Sequence, residues 1–265
     1  MRVWVAGVGV IGPGLDGWNA CRDLLRGASA YADAPTVYPP LDALPAAERR
    51  RLGVPIKLAL GAGLDAFAHP GSDPKAASMV FTSSGGDGEN VHRICETLAS
   101  SDRQVSPTRF HNAVHNAAAG YWSITTGGQA PSTSLCCHDT SVAAGLLEAA
   151  VQVTADSAEV ALIAYDHRYP EPLNAVRPIG GDVAVALIFT PQRDARALAC
   201  FDIDLVSRTT EPTPMDDDGL ENLRGSVPAA RALPLLVAIA RAATATVTLD
   251  YLDALQLRVE VTPVG

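Results

Sequence analysis

The segments Val160–Tyr165 and Asp182–Thr190 carry Val, Ile, Leu and Ala at successive positions rather than alternating with polar residues. A strand with one face in water alternates, so runs of this kind belong to strands buried on both faces, and such strands need helices on each side of their sheet. Val3–Val10 is a third such run, closed by glycines. Between the runs the apolar period changes to that of a helix. Trp18, Cys21, Leu24 and Leu25 recur at helical spacing before Gly27, and Ile56–Phe67, Asn90–Ala99, Asn116–Thr126 and Ser141–Thr154 continue the pattern. Ala77–Thr82, Ser132–Cys136, Ala199–Val206 and Leu255–Val261 complete the predicted strands, and Pro228–Ala242 the helices. Alternation of this sort predicts an α/β chain with a mixed, mostly parallel sheet covered by helices. Residues 28–53, Ser101–His111 and Ser207–Ser226 read as loops, the last containing an acidic run that predicts a solvated surface.

Composition narrows the functions. At 265 residues the chain can bury about three quarters of its unfolded surface without disulfides or metals. Its net charge of −9 opposes nucleic-acid binding, which requires clustered Lys and Arg. Five cysteines, an odd number with Cys136 and Cys137 adjacent, suit a reducing cytoplasm better than a secreted framework. No apolar run reaches the roughly 18 residues of a membrane span, and residues 1–12 lack the features of a signal peptide.

Three segments could carry chemistry. Gly7-Val8-Gly9-Val10-Ile11-Gly12 has the glycine spacing of a dinucleotide-binding turn. Pro13 and Gly14 interrupt it before the helix, and no acidic residue ends a second strand where the ribose would need one, so no cofactor is expected. His111 and His115, four apart, share the spacing of two zinc ligands. The residues between them, Asn112, Ala113 and Val114, supply no general base, so no metal is expected either; the two histidines with Asn112 and Asn116 instead fit hydrogen bonding within a buried turn. The third segment, Ser134–Ser141, turns from strand to helix. There Cys137 and His138 could act as nucleophile and base, helped by the helix N-terminus, while Asp139 is alternatively the N-cap of the helix.

Several motifs around that turn resemble β-ketoacyl synthases. They are Asn116-Ala117-Ala118-Ala119-Gly120, Ser123-Ile124, Gly127, Pro131, Ser141 and Gly145-Leu146-Leu147-Glu148-Ala149, joined by Val3–Gly12 at the start and Asp182–Pro191 at the end. The resemblance covers residues 1–191 well and 192–265 poorly, and it implies a single domain with one half of the duplicated thiolase-like fold. It aligns Asp139 with the family's nucleophilic cysteine, with Cys137 two residues earlier. The second half of the family, which supplies catalytic histidines, has no counterpart after His167, the last histidine. An acyl-aspartate would be a mixed anhydride, so no catalytic residue is expected.

By this resemblance the chain is similar to the shortened, chain-length-factor-like subunits of aryl polyene and type II polyketide systems. Such a subunit pairs with an active β-ketoacyl synthase, which would supply the cysteine and the site for an acidic acyl carrier protein. Half a fold would leave apolar sheet and helix faces for that partner to cover. Phe110, His111, His115, Asn116, Ser134, Cys136, Asp139 and Thr140 are the expected interface or tunnel residues. Two other readings stand beside it: an acyltransferase or thioesterase using Cys137 or the His138–Asp139 pair, and a homodimeric scaffold.

Overall fold

A strand rich in valine and glycine, β1 (Arg2–Gly12), lies at the middle of a nine-stranded sheet in the computed structural model, which describes residues 1–264. The other strands are β2 (Leu15–Asp16), β3 (Ser78–Thr82), β4 (Ser132–Leu135), β5 (Val160–Asp166), β6 (Val183–Thr190), β7 (Ala199–Ser207), β8 (Ala245–Leu252) and β9 (Leu255–Pro263). The helices are α1 (Trp18–Leu25), α2 (Ala46–Arg49), α3 (Val54–Phe67), α4 (Gly88–Ala99), α5 (Pro107–Asn112), α6 (Ala117–Thr126), α7 (Ser141–Asp156), α8 (Leu173–Val176), α9 (Asp218–Ser226) and α10 (Leu233–Arg241). No helix among the described residues is long and apolar enough to cross a membrane.

The sheet runs β4-β3-β5-β6-β1-β7-β9-β8, with β2 paired to β1. In its first five strands, β4, β3, β5 and β1 point one way and β6 opposes them. The mixed α/β sheet with helical cover is as expected, but its parallel pairings are confined to β3 with β4 and β3 with β5. β7 pairs antiparallel with β1 and β9, and β8 with β9, where the short β8–β9 connection leaves no room for a crossover. β8 has no counterpart among the expected elements. α5 occupies part of an expected loop, started by Ser106, whose hydroxyl accepts from the Arg109 N–H, and by Pro107 in the first turn. The acidic stretch likewise holds α9, since the Asp217 carboxylate accepts from the N–H groups of Gly219 and Leu220 at 2.9 and 3.0 Å.

Two apolar layers flank the sheet. On one side Val3, Val5, Val8 and Val10 of β1 share an apolar layer with residues of α7, α1, α9 and α10; on the other, Ala6 and Ile11 share one with residues of α3 and α6. A break in register between Val5 and Gly7 exchanges the faces. The C-terminal segment corrects the expectation of uncovered apolar faces: residues 227–239 and strands β8 and β9 pack Val227, Leu233, Leu236, Val247 and Leu249 into the layer around α7. The chain thus covers its own sheet.

The glycines of the first strand serve this packing. A Cβ on Gly9 would stand 2.0 Å from the Ala62 carbonyl oxygen, and one on Gly7 2.6 Å from that of Ala66, so the Gly-x-Gly spacing lets α3 lie directly on β1. α3 returns the contact through Asp65, whose carboxylate accepts from Val10 N–H (3.1 Å) and from Trp18 N–H (2.7 Å) at the start of α1. Gly9→Ala is therefore expected to destabilise the fold by about 3 kcal/mol through overpacking against backbone. Gly120→Ala, where nothing lies within 4 Å of the added Cβ in mid-helix, is expected to stabilise it by about 0.5–1 kcal/mol. Urea denaturation of the two variants measures both signs.

Candidate functional site

The parallel strands β3, β4 and β5 end at one edge of the sheet, where open α/β sheets collect their polar groups. β3 runs into Ser83-Ser84-Gly85-Gly86, β4 into Cys136-Cys137, and β5 into Asp166-His167. From β4 the chain passes through a 3₁₀ turn, His138–Thr140, into α7. His138 forms the tip in the left-handed region at φ 51°. The turn is stitched from within. The Ser141 hydroxyl donates to the His138 carbonyl at 2.7 Å and accepts from the Cys137 N–H at 3.0 Å, while the Thr140 hydroxyl donates to the Cys137 carbonyl at 2.8 Å. Beneath it the buried Thr82 hydroxyl donates to the Ser141 carbonyl at 2.9 Å.

Asp139 does not cap α7, contrary to one expectation. Arg177 donates to its Oδ1 at 2.8 Å, and Arg231 approaches Oδ2 at 3.4 Å while also donating to the Asp139 carbonyl at 2.7 Å. Charge-assisted bonds to guanidinium groups are stronger than those to neutral amides, so the carboxylate turns sideways. Partial burial raises its pKa, yet Arg177 and Arg231 outweigh that and hold the carboxyl below its ordinary value. Neither arginine carries a local sequence signal, because they come from the end of α8 and from the 3₁₀ turn Pro228–Ala232.

The Cys137 thiol beside these arginines is not activated. Burial, with Cys136 next to it, pushes the Cys137 thiol above its ordinary pKa, the opposite of activation. Cys136 Sγ donates to the Ser84 carbonyl at 3.1 Å. His138, placed for a base, projects into solvent with 69% of its side chain exposed, 3.6 Å from Asp139.

Behind the turn lies a buried polar group that sequence reasoning did not single out. Asp166 accepts from the Ser84 N–H at 2.8 Å, the Ser84 hydroxyl at 2.6 Å and the Ser83 hydroxyl at 3.3 Å. Burial raises its carboxyl to about 6 despite these donors. His167 Nε2 accepts from the Gly88 N–H at 3.3 Å, and burial lowers its pKa, favouring the neutral ring. Tyr169 packs against the same loop, leaving no space for side chains at Gly85 or Gly88.

The expected residues fall into two groups. Ser134, Cys136, Cys137, His138, Asp139 and Thr140 line β4 and the turn. Phe110, His111, His115 and Asn116 form an exposed rim on and after α5. The histidines and Asn116 therefore do not bond a buried turn. Asn112 alone does so, its amide donating to the Arg51 carbonyl at 2.7 Å and its oxygen accepting from the Tyr121 hydroxyl at 3.2 Å. His111 packs edge-on against the Tyr121 ring, and the His115 ring lies beside Gly86, linking the rim to the loop under the turn.

Residues 18–233 match the family model for the beta-ketoacyl synthase N-terminal domain. No curated protein sequence matches the chain. Among solved structures, it is similar to a chain from the ketosynthase (ApeO) in complex with its chain length factor (ApeC) from Xenorhabdus doucetiae, at 21% identity and TM-score 0.74, over 98% of this chain and 99% of that one. A chain of AntDE:AntF, a type II PKS acyl-carrier protein in complex with its ketosynthase bound to the hexaketide, matches at 14% identity and TM-score 0.76, over 99% of each chain. The ketosynthase from module 1 of the bacillaene synthase of Bacillus amyloliquefaciens FZB42 matches at 15% identity and TM-score 0.54, with 80% of this chain covering only 47% of that one. At these identities the likeness establishes the fold, which is that of the thiolase-like ketosynthases.

The buried Asp166 sets a pH dependence. Its raised folded pKa means that the native state holds a proton which the unfolded chain releases near 3.8; its contribution to stability is complete below that pH and is lost as pH rises through about 6. Relative to Asp166→Asn, the wild type is expected to lose about 3 kcal/mol across this window, measured as the difference between two denaturation series from pH 4 to 7.

Proposed function

The chain belongs to the β-ketoacyl synthase N-terminal-domain family, and on that premise we propose that it is a non-catalytic, chain-length-factor-like subunit that pairs with an active β-ketoacyl synthase in polyketide-type biosynthesis. The observation that carries this reading is the turn before α7: the scaffold is complete, but an arginine-bound carboxylate sits there, and the adjacent thiol is pushed toward its protonated form. Condensation requires a thiolate to hold the acyl chain and donors to stabilise an enolate. Asp139, ionised and already paired, offers neither. The same geometry opposes acyl transfer or thioester hydrolysis through Cys137 or the His138–Asp139 pair, because burial pushes the Cys137 thiol toward its protonated form and the His138 ring is exposed.

The pairing is supported by the match in the ApeO–ApeC complex, where 98% of this chain covers 99% of the matched chain. An aryl polyene pigment pathway is the finer reading of the same resemblance, with the five free thiols suiting a cytoplasmic setting. Residues 1–265 act as one domain in this reading.

Since the C-terminal segment covers the sheet, the partner has other surfaces to meet. These are the unpaired outer edge of β4 and the exposed apolar residues Val91, Leu98, Phe110 and Val114 of the α4–α5 region. Phe110, with 66% of its surface exposed, His111, His115, Asn116, Ser134, Cys136, Asp139 and Thr140 would lie at that interface or at the end of the acyl tunnel. An acidic acyl carrier protein would dock on the more basic partner rather than on this chain of charge −9.

Co-expression with a candidate β-ketoacyl synthase tests the proposal. A stable heterodimer is expected on size-exclusion chromatography, weakened about tenfold or more by Phe110→Arg, with product length altered when the subunit is omitted. Persistent monomers or homodimers, or a stable acyl adduct on Cys137 by intact-protein mass spectrometry, would overturn it.

A further inference from the structure

The clamp at residue 139 has the composition of a ligand site. Arg177 Nη2 stands 2.8 Å from one oxygen of a carboxylate and Arg231 Nη2 3.4 Å from the other, and the two side chains are only 23% and 27% exposed. Among the described residues, neither guanidinium has a second carboxylate within 4.0 Å. The exposed His138 ring reaches the same carboxylate at 3.6 Å. Two partly desolvated cations gathered on one anion are costly when that anion is missing. A cavity of about 160 Å³ adjoins the clamp, its charged lining being Asp139, Arg231, Arg224 and Asp250. It offers space that a side chain as short as aspartate does not fill.

We propose that Arg177 and Arg231 form a carboxylate-binding site which Asp139 fills in cis, closing the turn before α7 to carboxylate ligands. The chemical class follows from the occupant, because a carboxylate is what the two guanidinium groups already hold, one on each oxygen. Arg231 adds orientation: its Nη1 donates to the Asp139 carbonyl, which fixes the fork while Nη2 faces the anion. The site concerns this chain alone and does not depend on a partner subunit.

Chemical rescue tests it. Asp139→Gly removes the internal anion, and the variant is expected to unfold more readily than wild type in chloride. Replacing chloride by acetate at constant ionic strength, at about ten times the dissociation constant of acetate, should recover about tenfold in the folding equilibrium. Wild type should not respond, and Asp139→Gly combined with Arg177→Gln should lose the response. An equal acetate effect on wild type, rescue that survives loss of Arg177, or a larger effect from inorganic phosphate than from acetate would overturn the assignment. If Asp139→Gly does not fold in chloride, Asp139→Ser replaces it. Recovery of either variant on adding acetate supports the site, and failure of both to respond overturns it. Because only the isolated chain is used, the result stands apart from whether a heterodimer forms.

Discussion

The burial of α7 is the constraint on which the rest of the structure depends. One side of the helix lies against β3 and β5 so closely that a Cβ on Gly145 would stand 2.7 Å from Leu162 and 2.8 Å from Thr82. The other side meets residues 227–249, and Val142, Leu146, Ala149, Ala150 and Val153 are all buried. A helix apolar around most of its surface has to be enclosed. Here a short 3₁₀ turn, α10 and the β8–β9 hairpin enclose it.

The enclosure also settles the electrostatics at the start of α7. Packing Pro228–Ala232 against the helix carries Arg231 to the turn, and the segment after β5 brings Arg177 from the other side. A carboxylate beside one helix N-terminus would gain little from the dipole alone; between two guanidinium groups it is firmly ionised. Just behind it, Asp166 has no cationic partner, only hydroxyl and amide donors, and its carboxyl is raised instead. Two aspartates near one sheet edge thus differ in opposite directions because one is paired and the other is merely buried. In the proposed function this contrast matters: the turn presents an arginine-paired carboxylate where condensation would need a free thiolate.

Some features were legible because their signal is local. The Ser-Pro start of α5 and the Asp217 cap of α9 were present in the sequence as well, but polar composition hid both helices inside expected loops. Gly7 and Gly9 show the reverse case, a motif whose spacing suggests a phosphate turn but whose use is the close passage of α3 over β1. His111 and His115, drawn together by helical spacing, lie on an exposed rim, while the buried bonding falls to Asn112 between them.

By itself the sequence determined the α/β alternation up to β7 apart from the short elements hidden in its loops, the doubly buried character of β5 and β6, and the resemblance that the family match bears out, since each rests on residues close together in the chain. Tertiary structure decided how β7, β8 and β9 pair, what covers α7, and what Asp139 does. Those outcomes depend on partners 38 and 92 positions from residue 139, and on hairpin geometry that no local period encodes. An aspartate before a helix looks like a cap until folding brings two arginines within reach; the stronger, charge-assisted contact then takes the side chain.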